Sequence, residues 1–216
     1  MSTVLNQGDL IANRYKVIRL LGRGGFAAAY LAEDLSSSRQ VVAKELLPPG
    51  SRRSSDGTVE FAEDPDTVHR LVHSFLVEAR TLLKLRARGV VGVLAAIQWN
   101  GTAYCVMELV EGARPLNEIL AESGPMPVEV AVKILVSAAQ ALAAIHERGY
   151  LHRDIKPSNL LVDSNHEVTL IDFGAARQWH ADSTIRHTAM FTPGYAPIEQ
   201  LSDRARRGPA SDLYSL

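Results

Sequence analysis

His152-Arg153-Asp154-Ile155-Lys156-Pro157-Ser158-Asn159 sets a carboxylate, a lysine and an amide in one short run, and Asp172-Phe173-Gly174 adds a second carboxylate thirteen residues after Asn159. In-line phosphoryl transfer from a metal-bound nucleotide asks for this set. A phosphoryl group in flight spreads negative charge over its oxygens, and the protein mainly positions partners and neutralises that charge. Asp154 can accept the proton of an attacking hydroxyl and orient it. Lys156 can reach the same transferring phosphate, while Asn159 and Asp172 offer hard oxygen ligands suited to magnesium rather than zinc. Any one Asp or Lys in this stretch reads as a solvated loop charge; the ordered set does not.

The elements that must position these groups follow from pattern. Leu160-Leu161-Val162 and Val168-Thr169-Leu170-Ile171 read as short strands around the polar turn 163–167, a hairpin that brings Asn159 and Asp172 to one end. Near the start, strand-like runs from Tyr15 to Leu21 and from Phe26 to Glu33 flank Gly22-Arg23-Gly24-Gly25, where a backbone without side chains can present N–H groups to phosphates. On the next strand, Gln40 to Leu47, alternation puts Lys44 on one face with Val42 and Leu46, so its ammonium points into apolar surroundings if that face is buried. A buried ammonium needs a counter-charge. Helical spacing of apolar residues predicts a helix from about Asp66 to Arg88, and Glu78 falls inside its apolar stripe. Pairing Lys44 with Glu78 resolves both anomalies. His69 and His73, four apart on the polar face of that helix, have no carboxylate or cysteine at ligand spacing and read as solvent-exposed. Residues 48–63, rich in Ser, Arg, Gly and Asp and without periodicity, read as a mobile insertion. Asn100-Gly101 predicts a tight hairpin turn between apolar runs, and helical segments follow from Leu116 to Glu122 and from Val128 to Arg148, ended by Gly149.

With these residues in place the chain resembles the eukaryotic-like protein kinase family from about Tyr15 to Leu216. Within it the bacterial serine/threonine branch is suggested by Lys44-Glu45-Leu46-Leu47-Pro48 and by Gly194-Tyr195-Ala196-Pro197-Ile198-Glu199-Gln200. The resemblance implies an α+β, bilobal kinase-like fold, with an antiparallel N-lobe sheet carrying one long helix and a mainly α-helical C-lobe. Residues 1–14 would be an N-terminal extension, 15–107 the N-lobe, 108–112 the hinge and 113–216 a partial C-lobe. It further implies ATP-dependent transfer to Ser/Thr hydroxyls of a protein substrate, with autophosphorylation, and ATP and Mg2+ as cofactors. Asp154, Lys156, Lys44 and Glu78 take the catalytic roles by this resemblance, with Asn159 and Asp172 on the metal. The nucleotide is expected to meet Leu21, Gly22, Gly24, Ala29, Val42, Lys44, the gatekeeper Met107, the hinge residues Glu108 and Val110, and Leu161.

The family pattern is not followed throughout. Its third loop glycine is Ala27, the valine that caps the adenine is Ala29, and the alanine before the lysine is Val42. Ala29 and Val42 together conserve volume above the base, so they read as a compensating exchange. The activation-segment candidate carries Ser183, Thr184, Thr188 and Thr192. Thr192 resembles the buried hydroxyl linking Asp154 and Lys156, leaving the other three as regulatory candidates that Arg153 could pair with once phosphorylated. Asp212-Leu213-Tyr214-Ser215-Leu216 resembles the opening turn of the central C-lobe helix, whose aspartate supports the backbone of the catalytic loop, so the C-lobe is expected to be C-terminally truncated and Glu199 to lack its family arginine. The alternative is a catalytically weak or silent kinase-like module that binds nucleotide or a partner protein, though such modules usually lack at least one of the residues present here.

Composition agrees with a globular catalytic domain: 46% hydrophobic residues, 15 Gly and 10 Pro in 216. A formal charge of -1 argues against a nucleic-acid partner. The single Cys105 permits no internal disulfide and fits a reducing compartment. The start has neither the charged flank nor the apolar run of a signal peptide. The uncharged apolar stretch from Ile134 to His146 falls short of the roughly 18 residues of a membrane span and reads as a core helix. A cytoplasmic protein is expected.

Overall fold

The computed structural model describes residues 3–172, 177–178, 194–201 and 208–216. The chain divides into two compact units, Met1–Lys84 with Gly92–Leu109, and Leu85–Val91 with Val110–Leu216. It has the protein kinase fold.

The first unit is a six-stranded antiparallel sheet with one long helix. Its strands are β1 (Leu10–Ile11), β2 (Tyr15–Arg23), β3 (Ala27–Asp34), β4 (Arg39–Leu46), β7 (Val93–Trp99) and β8 (Thr102–Glu108), in the order β1-β2-β3-β4-β8-β7. Asn100 and Gly101 both take positive φ, 46° and 76°, as the two-residue turn between β7 and β8 requires. Helix α1 (Pro65–Lys84) starts one residue earlier than its pattern predicts, because Asp64 caps it by accepting from the N–H groups of Asp66 and Thr67 at 3.1 and 3.0 Å. It packs through Val72 and Leu76 on Leu46 and Ala103. It also ends four residues before the expected Arg88. The chain enters the second unit at Leu85, and there Gly89 takes φ 72°, its carbonyl accepts from Leu170 N, and Val91 N donates back to Leu170 O.

Two segments are more ordered than their sequence suggests. Residues 48–63 carry an antiparallel hairpin, β5 (Arg52–Arg53) with β6 (Val59–Glu60), rather than a mobile insertion. Periodicity does not show it because its apolar anchors are few, Val59 and Phe61, and the rest of its anchoring is polar. The N-terminal extension is built into the same unit: β1 pairs with β2, and Val4 and Leu5 pack on the core.

The second unit holds β9 (Arg114–Pro115), α2 (Leu116–Ser123), α3 (Val128–His146), β10 (Tyr150–Leu151), a 3-10 turn (Pro157–Asn159), β11 (Leu160–Val162), β12 (Val168–Leu170), β13 (Arg177–Gln178) and α4 (Pro209–Ser215). The β11–β12 hairpin forms in the expected register, Leu160 opposite Leu170. Helix α3 turns Ile134, Ala138, Ala141, Leu142 and Ile145 inward. Gly89 is fitted against it so tightly that a Cβ there would lie 2.7 Å from Ala141 Cβ. Among the described residues α3 is the one helix long and apolar enough, by length and composition, to cross a bilayer; one stripe of it is buried, and Val128, Val132, Leu135 and Val136 are exposed.

Candidate active site

The catalytic run lies in the second unit between β10 and β11. Arg153 sits at φ 65°, a left-handed conformation that costs a non-glycine residue about 1–2 kcal/mol and needs outside support. Asp212, fully buried on α4, supplies it. Its Oδ1 accepts from Arg153 N at 2.7 Å, and its Oδ2 from His152 N at 2.9 Å. The same oxygen meets His146 Nε2 at 2.8 Å. The family reading foresaw Asp212, but nothing in the sequence singled out His146. Glu199, expected to lack its arginine, accepts from Ser211 Oγ at 2.7 Å.

His152 is fully buried, and burial lowers its pKa from the ordinary histidine value. Asp154 N donates to Nδ1 at 3.3 Å, so the neutral ring carries its proton on Nε2, which faces Ile171 O at 3.1 Å. The backbone before Asp154 and the backbone before Asp172 are thereby tied through one imidazole.

Lys156 Nζ lies 2.8 Å from Asp154 Oδ2, and Asn159 Nδ2 donates to the same oxygen at 3.0 Å and to Asp154 O at 2.7 Å. Three of the predicted residues therefore form one cluster. The Asn159 nitrogen is spent on Asp154, while its Oδ1, which accepts from Ser158 Oγ at 3.4 Å, is the kind of oxygen a hard cation needs. Ile171 N donates to Asn159 O at 3.0 Å and closes the hairpin end, with Asp172 next in the chain at φ 61°. One amide oxygen and one carboxylate fit magnesium, which keeps waters and substrate phosphates for its other positions. Phe173, Gly174, Ser183, Thr184, Thr188 and Thr192 lie outside the described residues.

Four of the predicted nucleotide residues, Ala29, Val42, Lys44 and Met107, share one face of the first unit's sheet. Ala29 stands opposite Lys44 and Lys44 opposite Cys105, while Val42 stands opposite Met107, so all of them share a side. That side is half-buried at Ala29, Val42, Lys44 and Met107. The fully buried side is the other one, with Val41, Ala43, Glu45 and Leu47, so Lys44 stands in a less apolar setting than alternation alone suggested. Glu78 lies at the half-buried margin of the α1 stripe.

At the β2–β3 turn, Gly24 N donates to Ala27 O at 2.8 Å. Gly22 and Gly25 have nothing within 4 Å of an added Cβ, Gly24 only a carbonyl at 3.8 Å, and none takes positive φ. The chain's own packing gives no reason for these glycines. Leu21 sits beside a register shift and is exposed. In the predicted hinge, Glu108 N donates to Gly92 O at 2.8 Å, and Val110 O accepts from Ala113 N. Leu161 is half-buried on β11.

The protein kinase domain family matches residues 15–216. The serine/threonine-protein kinase PknA of Mycobacterium tuberculosis is 36% identical over 97% of this chain and 46% of its own length. PknB of Mycobacterium leprae is 32% identical over 95% of the chain and 31% of its own length. The chain thus spans less than half the length of these curated relatives. A solved structure described as the apo form of PpkA-294 superposes with a TM-score of 0.81 at 28% identity, covering 99% of this chain and 76% of that one.

Proposed function

The chain belongs to the protein kinase domain family, and from that premise we propose that it transfers the γ-phosphoryl group of ATP to serine and threonine hydroxyls of proteins, its own included. The observation that carries this reading is the Asp154–Lys156–Asn159 cluster, in which one carboxylate is oriented by an ammonium and an amide at 2.8 and 3.0 Å. In the reaction the substrate oxygen forms its bond to the γ-phosphorus as the bond to the β-phosphate bridging oxygen breaks. The hydroxyl proton passes to Asp154, and ADP leaves. Lys156 balances charge on the transferring group. Asn159 and Asp172 would hold the Mg2+ that neutralises the phosphates when it is bound.

In the first unit the same reading pairs Lys44 with Glu78 and turns the ammonium toward the nucleotide phosphates. Residues 15–107 act as the N-lobe, 108–112 as the hinge and 113–216 as the C-lobe portion. Ala29, Val42, Met107 and Leu161 contact the base, and the glycines of the β2–β3 turn lie over the phosphates. Use of ATP supports a cytoplasmic setting for the reaction, and the near-neutral charge favours a protein over a nucleic-acid partner.

Asp154→Asn is expected to abolish phosphate incorporation while leaving ATP affinity nearly unchanged, and Lys44→Met to remove most activity. Radiolabel transfer that survives Asp154→Asn would overturn the catalytic assignment.

A further inference from the structure

Among the described residues of the first unit, the most deeply buried charge belongs to Glu45, the residue after Lys44. It is fully buried. Its Oε2 accepts from Tyr30 Oη at 2.7 Å, and its Oε1 from Tyr104 Oη at 2.5 Å and from Arg53 Nη2 at 2.6 Å. Those donors come from β3, from β8 and from the 48–63 hairpin, so one carboxylate joins β4 to both neighbouring strands and to a segment outside the sheet. Arg53 in turn donates to Gly57 O at 2.9 Å within its hairpin and to Thr3 O at 3.2 Å in the N-terminal segment. Tyr30 Oη also accepts from Leu5 N. Burial, with the Glu45 charge adding to it, raises the pKa of both tyrosines, which stay protonated donors.

A salt bridge this buried gives little net stability, because removing two charges from water offsets most of their attraction. Its best-attested use is to specify one arrangement over others. Strand β4 has such a choice to make. Val41-Val42-Ala43-Lys44-Glu45-Leu46-Leu47 offers two faces of nearly equal hydrophobicity, each with one charge, and a one-residue slip would exchange Lys44 for Glu45. Tyr30, Tyr104 and Arg53 offer donors to a carboxylate on one face only.

We propose that Glu45, clamped by Arg53 and the two tyrosines, is a positioning residue that fixes the register and twist of β4 and so aims Lys44 at the nucleotide, making the 48–63 hairpin and the N-terminal segment parts of the ATP site's support. This rests on the kinase reading above for the role of Lys44.

The test is acylation of lysines by an acyl-phosphate derivative of ATP, which transfers its acyl group to an amine beside the bound phosphates, quantified by mass spectrometry at each lysine. In the unmodified protein, Lys44 and Lys156 are expected to react faster than exposed Lys16. Arg53→Met should slow Lys44 by about tenfold, the scale of a sub-ångström misplacement, and leave Lys156 within about twofold. Tyr104→Phe deletes a single oxygen, and if Arg53→Met does not fold it carries the measurement alone, with a smaller slowing at Lys44. Unchanged Lys44 labelling in a folded variant, or Lys44 and Lys156 falling together, would overturn the inference while the kinase reading stands. If neither lysine outruns Lys16 in the unmodified protein, the nucleotide reading fails and takes this inference with it.

Discussion

Asp212 offers the sharpest test of how the catalytic loop is held. Its two oxygens accept the N–H groups of His152 and Arg153, and Arg153 keeps φ 65° against its own steric preference. Asp212→Ala removes both acceptors from a fully buried position. Each stranded donor costs about 1–3 kcal/mol, so the loop should lose roughly 2–6 kcal/mol of local stability. Asp212→Asn keeps one acceptor oxygen and places an NH2 against the other donor, so its cost should be near half. At about 1.4 kcal/mol per tenfold, even the lower bound for alanine accelerates hydrogen exchange at the amides of 152 and 153 by about 30-fold. Because Asp154 follows directly, phosphate transfer should fall by about a hundredfold, with the asparagine variant in between. His146→Ala removes only the contact that lies off the loop and serves as the comparison. Exchange at 152 and 153 that is indifferent to Asp212→Ala would refute the argument, as would an asparagine variant slower than alanine.

Other outcomes follow from single sites. Gly22→Ala and Gly24→Ala meet open space and negative φ, so each should leave stability unchanged or raise it by up to about 1 kcal/mol while raising KM for ATP. A fall in melting temperature with an unchanged KM would show that the glycines serve the fold instead. At the first hairpin, Arg14 Nε and Nη2 each lie 2.8 Å from the Asp34 carboxylate, and those bonds hold its pKa well below the usual carboxylate range. A depressed carboxyl stabilises above its unfolded pKa of about 4 and loses that contribution as pH falls toward the folded value. The difference between the parent protein and Asp34→Asn in urea melts should therefore be full at pH 7 and shrink progressively below about pH 4. A constant gap from pH 7 to pH 2 would contradict the assignment.

The residues of the second unit's cluster were legible because the chemistry itself restricts them to a short run: Asp154, Lys156 and Asn159 are close in sequence, and a hairpin with clear apolar strands returns the chain to Asp172. The Asn100-Gly101 turn was legible for a similar reason, since few residues tolerate two successive positive φ values. The hairpin at 48–63 was not. Its anchors are Val59, Phe61 and the buried Arg53, and so few contacts scattered among serines and glycines leave no period to detect. The end of α1 was missed because the apolar spacing continues through Leu85, which is buried, but in the second unit. Helical periodicity reports that a residue is buried, never against what.

Strand β4 shows the same limit at its sharpest. Alternation correctly places Lys44 with Val42 and Leu46 and sets Glu45 on the opposite side, yet hydropathy cannot rank the two sides, for both are apolar with one charge. The ranking comes from elements distant in sequence. The N-terminal segment and the 48–63 hairpin cover the Glu45 face and bury Glu45 completely, whereas α1 covers part of the Lys44 face and Lys44 is only partly buried. On the proposed reading, a lysine that meets a ligand cannot be sealed in the core, and a glutamate that holds a strand in register cannot be left to water. The two adjacent charges are kept apart by the pleat, and what decides between the faces is which one is supplied with donors.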